Sequence, residues 1–191
     1  MNAAVGPSVL ALVATYSPGE NLISLVTALG LQVDSVIISD DASPCTADPI
    51  LRDCGLVPGV SVICHADNVG IARGLNEGLQ SARDSGCRWL LTSDQDSQFP
   101  ESYVADISSF AQSIGSLWDG SVRVGAVGAG VVINASGQLK YPITEVTGAS
   151  GPVSVTEEVI ASGTLWSVEA LIGVGGFDES LGLDAVDAAA C

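Results

Sequence analysis

Basic residues are scarce in this chain. Six Lys and Arg stand against 22 Asp and Glu, with a single His, for a formal net charge of −16. Nucleic-acid binding through phosphates needs a basic footprint, so that class is excluded. An anionic membrane surface would repel the chain for the same reason. An anionic nucleotide would be repelled too, unless a metal ion inverts the local field. Charged residues of either sign reach only 15%, while hydrophobic residues make up 47%, which excludes disorder and supports a substantial core. The cysteines (Cys45, Cys54, Cys64, Cys87 and Cys191) form no Cys-x-x-Cys pair and are odd in number. Neither a zinc site nor a disulfide framework is suggested; reduced thiols in a cytosolic protein are the simplest account. Met1 to Ser8 holds no basic residue and does not read as a secretory signal. No apolar run is long enough to span a bilayer, and no internal repeat, low-complexity segment or linker is visible. A length of 191 residues fits one domain.

What is present is an alternation of short apolar runs and helical patterns. Strands are expected at Val9–Thr15, Ser35–Ser39, Val60–Cys64 and Trp89–Thr92, with further strand-like runs at Val122–Ile133 and Val159–Trp166. Asn21 is expected to cap a helix carrying Leu22, Leu25, Val26 and Leu29 that Gly30 ends. A short helix is expected up to about Cys54, and longer ones over Ile71–Arg83 and Tyr103–Ile114. Ser167 is expected to cap a last helix that Gly173 ends. Strands alternating with helices imply an α/β fold, a mostly parallel sheet with helices on both faces. The lone His65 closes an apolar run and reads as a strand-end residue.

The most informative segment is Asp94-Gln95-Asp96-Ser97, directly after an apolar strand. Strand side chains alternate faces, so Asp94 and Asp96 would point the same way at a strand's carboxyl end. That is where open α/β sheets bind ligands. Adjacent carboxylates repel and cost desolvation energy. A hard cation, Mg²⁺ or Mn²⁺, would relieve both and could hold a diphosphate. The bland alternative is a solvated acidic turn. A calcium loop is excluded, since the following Asp/Asn-Gly and the distal Glu are missing.

Other strand ends carry polar clusters: Asp40-Asp41-Ala42-Ser43, then Asp67-Asn68-Val69-Gly70-Ile71-Ala72-Arg73 with Asn76 beyond. Gly175-Gly176-Phe177-Asp178-Glu179 and Asp184-Ala185-Val186-Asp187 come later. With Thr15-Tyr16-Ser17-Pro18 at the start, this ordered set resembles glycosyltransferase family 2, the inverting GT-A enzymes, and within it the rhamnosyltransferase-like branch. The resemblance runs from about Val9 to Cys191. It implies a GT-A, Rossmann-like fold in one nucleotide-sugar-binding domain over residues 1–191.

The resemblance also implies roles. Thr15, Tyr16, Asp40, Asn68, Arg73, Asn76 and Asp94 fall at nucleotide-side positions, and Asp96, with Asp94, at the metal position. Asp40 could equally be a turn residue or helix cap, and Arg73 a solvated helix-face residue. Gly163, Trp166 and Asp184 fall on the acceptor side; Trp166 could equally belong to the core. Asp187 matches the catalytic base, with Val186 in place of the usual Glu. The implied reaction is a single displacement. A nucleoside-diphosphate sugar (dTDP-rhamnose or a UDP-sugar) is attacked by a saccharide or lipid-linked acceptor hydroxyl, with Mg²⁺ or Mn²⁺ on the diphosphate. A cytoplasmic setting at the inner membrane face follows from the same analogy. Family members usually continue beyond the point matching Cys191, often with a late His that this chain does not offer, so a missing C-terminal part is expected. Two other classes stay open: a non-catalytic nucleotide- or metal-binding module, and a phosphatase using Asp94 as nucleophile and Asp96 as acid.

Overall fold

Strand β1, Val9–Thr15, shows how the chain is layered. Its alternate residues Val9, Ala11 and Val13 enter one buried cluster, and Leu10 and Leu12 enter the other. A continuous apolar run is what a parallel strand covered on both faces requires. Strands β2 (Ser35–Asp40) and β4 (Trp89–Asp94) repeat the pattern. Val36, Ile38, Trp89 and Leu91 face one cluster, Ile37 and Leu90 the other. The structure is a computed structural model that describes residues 8–117, 124–130, 132–133, 138–140, 148–150, 153–156, 159–181 and 190.

The first face is covered by helices α1 (Asn21–Gly30), α2 (Asp48–Cys54) and α4 (Tyr103–Leu117). The second is covered by α3 (Ile71–Asp84) and α5 (Val168–Val174). With β3 at Val60–Cys64, β5 at Ala126–Val127 and β10 at Thr164–Ser167, the main sheet runs β3-β2-β1-β4-β10-β5. Strands β1 to β4 are mutually parallel, and β10 is antiparallel to both β4 and β5. Two small antiparallel pairs complete the described strands: β6 (Val132–Ile133) with β7 (Leu139–Lys140), and β8 (Gly148–Ser150) with β9 (Val153–Val155).

Several details depart from the sequence expectations. The run Val159–Trp166 is strand only from Thr164. The run Val122–Ile133 is not one strand: β5 and β6 lie in different sheets. Between them a Cβ at Gly128 would stand 2.8 Å from Thr164 Oγ1, a closeness only glycine permits. Asn21 is the first residue of α1, not its cap; Glu20 precedes it in helical conformation. Ser167 does cap α5, accepting from the Ala170 N–H at 3.3 Å, but the helix ends at Gly175 (φ +98°), not Gly173. A left-handed residue there suits glycine, and its N–H closes on Ile172 O.

Candidate functional site

The register of the sheet brings the polar strand ends together. Thr15 lies opposite Asp40, and Ala14 opposite Asp94. The chain winds outward from β1 through β2 to β3, then returns to place β4 on the other side of β1. This reversal makes the crevice between the loops after β1 and β4 the topological switch point, where open α/β sheets hold ligands.

Asp94 is the last residue of β4, and the backbone turns at once, with Ser97 N–H donating to Asp94 O at 3.3 Å. The same-face alternation therefore ends at Asp94 and does not extend to Asp96; the turn, not the pleat, presents both carboxylates to solvent. The turn is pinned from the β10 side. Ser162 Oγ accepts from the Asp94 N–H at 3.0 Å and lies 2.6 Å from Ser97 Oγ. The Asp96 carboxylate has no hydrogen-bond or ionic partner among the described residues. Among those residues no group of three or more His, Cys, Asp or Glu could hold a metal, so the described residues offer this pair alone. Exposed carboxylate oxygens are the donors hard cations take. Mg²⁺-type sites commonly use one or two carboxylates, with substrate phosphates and water completing the shell. The pair fits such an ion.

Gln95, between the two acids, points back to β1. Its Oε1 accepts from the Tyr16 N–H at 2.9 Å and from Thr15 Oγ1, and its Nε2 donates to Tyr16 O at 3.2 Å. Asn21 Nδ2 donates to the Gln95 carbonyl at 3.3 Å. Thr15 is buried under this contact, while the Tyr16 ring is 54% exposed at the crevice rim.

Asp40 is only 2% exposed, and its carboxylate accepts from both the N–H (3.0 Å) and the Oγ of Ser43. Ser43 Oγ in turn accepts from the Ser17 N–H at 2.7 Å. Asp40 thus closes the turn after β2 and anchors the loop after β1. Ser17 (φ +51°) and Ala42 (φ +61°) are non-glycine residues in the left-handed region, held there by this network. Asp41 reaches the next loop, accepting from Val69 N–H at 2.6 Å and Gly70 N–H at 3.2 Å. Asn68 is exposed in that same loop.

Arg73 and Asn76 form a separate group on α3. Asn76 is committed to the 175–179 loop. Its Nδ2 donates to Phe177 O (2.9 Å) and Glu179 Oε1 (2.8 Å), and its Oδ1 accepts from Phe177 N–H (2.9 Å). Arg73 is half-exposed and pairs with Glu77 at 3.4 Å and Glu179 at 3.7 Å. His65 follows β3 as expected, with Nε2 at 3.2 Å from both Ser39 Oγ and Glu77 Oε2. The Asn76 and Arg73 contacts tie α3 to Phe177 and Glu179, ahead of Asp184 and Asp187 in the chain. Asp184 and Asp187 themselves lie outside the described residues.

On the β10 side, Gly163 is buried with φ +79°. Its N–H donates to Thr92 O at 2.8 Å, and its carbonyl accepts from Tyr103 Oη. Burial pushes the Tyr103 hydroxyl up to about 12. Trp166 takes the core place that its sequence left open. It is 1% exposed, donates through Nε1 to Thr92 Oγ1 at 2.8 Å, and packs edge-on against Phe177 at 5.3 Å. Its alternation in β10 turns it into the core. Sequence alone gives Gln95, Asp41 and Ser162 no role, because their partners are distant in the chain, and the same holds for the contact of Ser43 with Ser17.

The sequence model of glycosyl transferase family 2 matches residues 11–127, more than half of the chain. The chain belongs to glycosyltransferase family 2. Among curated relatives, the dTDP-rhamnosyl transferase RfbF of Shigella flexneri is 28% identical, with 96% of this chain and 62% of that protein covered. The chain therefore spans about three fifths of that relative's length. Among solved structures, the S. aureus TarS 1-349 crystal structure aligns at TM-score 0.70 and 17% identity, covering 95% of this chain and 53% of TarS 1-349. The Pyrobaculum calidifontis mannosyltransferase PcManGT, in complex with GDP-Man and Mn²⁺, aligns at TM-score 0.61 and 18% identity, covering 97% and 51%. At these identities the structures support the GT-A fold alone. Family membership tells against the phosphatase reading of Asp94, whose strand-end acid arises equally in a family 2 sheet. No helix among the described residues is long and apolar enough to cross a membrane.

Proposed function

We propose that this chain forms the donor-binding domain of a metal-dependent inverting glycosyltransferase. It would move a sugar, rhamnose in the first instance, from a nucleoside diphosphate to a saccharide or lipid-linked hydroxyl at the cytoplasmic face of the membrane. The observation that carries this reading is the Asp96 carboxylate, exposed and without a partner among the described residues, beside Asp94 at the switch point of a family 2 sheet. The rhamnose donor rests on the likeness to RfbF.

In this reading Thr15, Tyr16 and Asn68 border the nucleoside, with Asp40 fixing the loops that hold it. Arg73 and Asn76 hold the Phe177–Glu179 segment against α3. Asp94 takes the ribose side. Asp96, with Asp94, would hold Mg²⁺ or Mn²⁺, which when bound supplies positive charge to the departing diphosphate. Asp187 accepts the proton of the acceptor hydroxyl as its oxygen attacks the anomeric carbon, and the configuration inverts. Gly163 and Asp184 lie on the acceptor side.

The test is thermal stability with uridine or thymidine diphosphate, with and without Mn²⁺. Ligand at about a hundred times its Kd adds about 2.7 kcal/mol, or roughly 5–10 °C for a chain of this size. That rise is expected only with Mn²⁺ and is lost in Asp96→Ala. An equal rise without metal, or none in the unaltered chain, rejects the reading. Binding without transfer by the intact enzyme would identify a non-catalytic module instead, and undiminished transfer in Asp187→Asn would remove Asp187 as the base.

A further inference from the structure

Gln95 sits between the two acids, yet its amide is turned away from them. One residue, Tyr16, has both its N–H (2.9 Å) and its C=O (3.2 Å) engaged by this single side chain, and Thr15 Oγ1 donates to the same Oε1. Paired N–H and C=O contacts copy what a neighbouring strand offers. The backbone ladder between β1 and β4 has its last pair at Ala14 and Asp94. The Gln95 amide carries it past the end of the sheet, to the point where the strands would otherwise part. The Asn21 contact to the Gln95 carbonyl holds the same turn from α1. The clamp also fixes the residue just before Ser17, whose φ of +51° is maintained only by its surroundings.

We propose that Gln95 is a positioning residue. It sets the spacing between the loop after β1 and the carboxylates of Asp94 and Asp96, and so couples recognition of the nucleoside to recognition of the metal-bound diphosphate. This inference rests on the donor-binding reading above. Nucleoside and diphosphate belong to one ligand, and a site that holds its two halves at a preset distance loses less freedom on binding. The chemistry requires an amide. A carboxylate at this position could accept from Tyr16 and Thr15 but has no proton for Tyr16 O, and it would add a negative charge between two acids. An aliphatic side chain would satisfy neither group.

The experiment is calorimetric titration of the full chain with uridine or thymidine diphosphate, with and without Mn²⁺, alongside Mn²⁺ binding followed by electron paramagnetic resonance. In the unaltered chain Mn²⁺ is expected to raise nucleotide affinity by about tenfold or more, a typical coupling between linked sites. In Gln95→Ala this ratio is expected to collapse towards one, while the affinity for Mn²⁺ alone stays unchanged. Gln95→Glu, which keeps the acceptor and loses the donor, is expected to lower the ratio as well. A merely structural role would weaken binding with and without metal alike and leave the ratio intact; that result overturns the proposal. Should Gln95→Ala fail to fold, Thr15→Val, which deletes one donor to the clamp, must lower the ratio, and an unchanged ratio overturns the proposal equally. If the unaltered chain shows no metal-dependent nucleotide binding, the donor reading itself falls. A normal ratio there with an unchanged ratio in Gln95→Ala removes the coupling alone.

Discussion

Tyr103 illustrates how single residues in this chain serve the site from outside it. Its hydroxyl donates to the Gly163 carbonyl, its ring packs against Phe99 at 4.9 Å with a tilt of 35°, and burial lifts its titration to about 12. An unfolded tyrosine titrates near 10. Between these two values the unfolded chain releases a proton that the folded chain retains, so rising pH favours unfolding. The stability that depends on the neutral hydroxyl is complete below about pH 10 and is lost as pH climbs towards about 12. Tyr103→Phe should melt lower at neutral pH, by about 1 kcal/mol for the lost hydrogen bond. Above pH 10 the unaltered chain should lose stability more steeply than the variant; parallel melting curves from pH 7 upward check both signs. The placement of Asp40 and Asp94 at strand ends was legible in the sequence, because each closes an apolar run. The contacts between the loops beside them were not. Ser17 is held by Ser43, and Tyr16 by Gln95, through contacts that only the folded sheet creates. Trp166 was ambiguous for the same reason: an indole at a strand end reads alike as a core residue or a platform until its neighbours are known.

Helix α3 makes the corresponding point for elements. Its extent followed from periodicity to within a residue, and Leu75 and Leu79 are buried. What periodicity does not reveal is how closely the helix rests on the sheet. A Cβ at Gly78 would lie 2.9 Å from both Leu12 Cβ and Cδ1, and one at Gly74 2.6 Å from Ser39 Oγ. Leu12 Cβ is fixed by the β1 backbone and cannot swing aside. Gly78→Ala would gain up to about 1 kcal/mol of helix propensity, but overpacking against β1 costs about 1–3 kcal/mol. We expect net destabilisation, read as a lower urea midpoint at unchanged slope. Gly173 in α5 is the matched control. Nothing lies within 4 Å of its would-be Cβ, so Gly173→Ala should stabilise by about 1 kcal/mol. Strands β5 and β6 read as one in the sequence for a related reason. The Val, Ala and Gly run reads as continuous strand, and the packing of Gly128 under Thr164 appears only in three dimensions.

At the scale of the whole molecule, a net charge of −16 surrounds a site proposed to take an anionic ligand. Arg73, in the first turn of α3, is already shared by Glu77 and Glu179. The protein's field thus opposes metal-free nucleotide binding, and the opposition is long-ranged at low salt, where the Debye length is about 30 Å at 0.01 M against about 8 Å at 0.15 M. Metal-free nucleotide affinity should therefore rise severalfold across that range of ionic strength, the reverse of what a basic phosphate site would show. With Mn²⁺ seated, the local charge is largely offset and salt should matter less. A substitution separates this field from the ion's own contribution. Asp96→Asn removes one negative charge beside the ligand, worth about 1 kcal/mol at some 5 Å in water, or about fivefold in affinity. It should bind nucleotide more tightly than the unaltered chain when metal is absent, yet gain nothing when Mn²⁺ is added. Titrations of both proteins at two ionic strengths, with and without metal, read these opposite signs directly. If Asp96→Asn instead weakened metal-free binding, the carboxylate would be contacting the nucleotide itself, and its assignment as a metal ligand would be wrong.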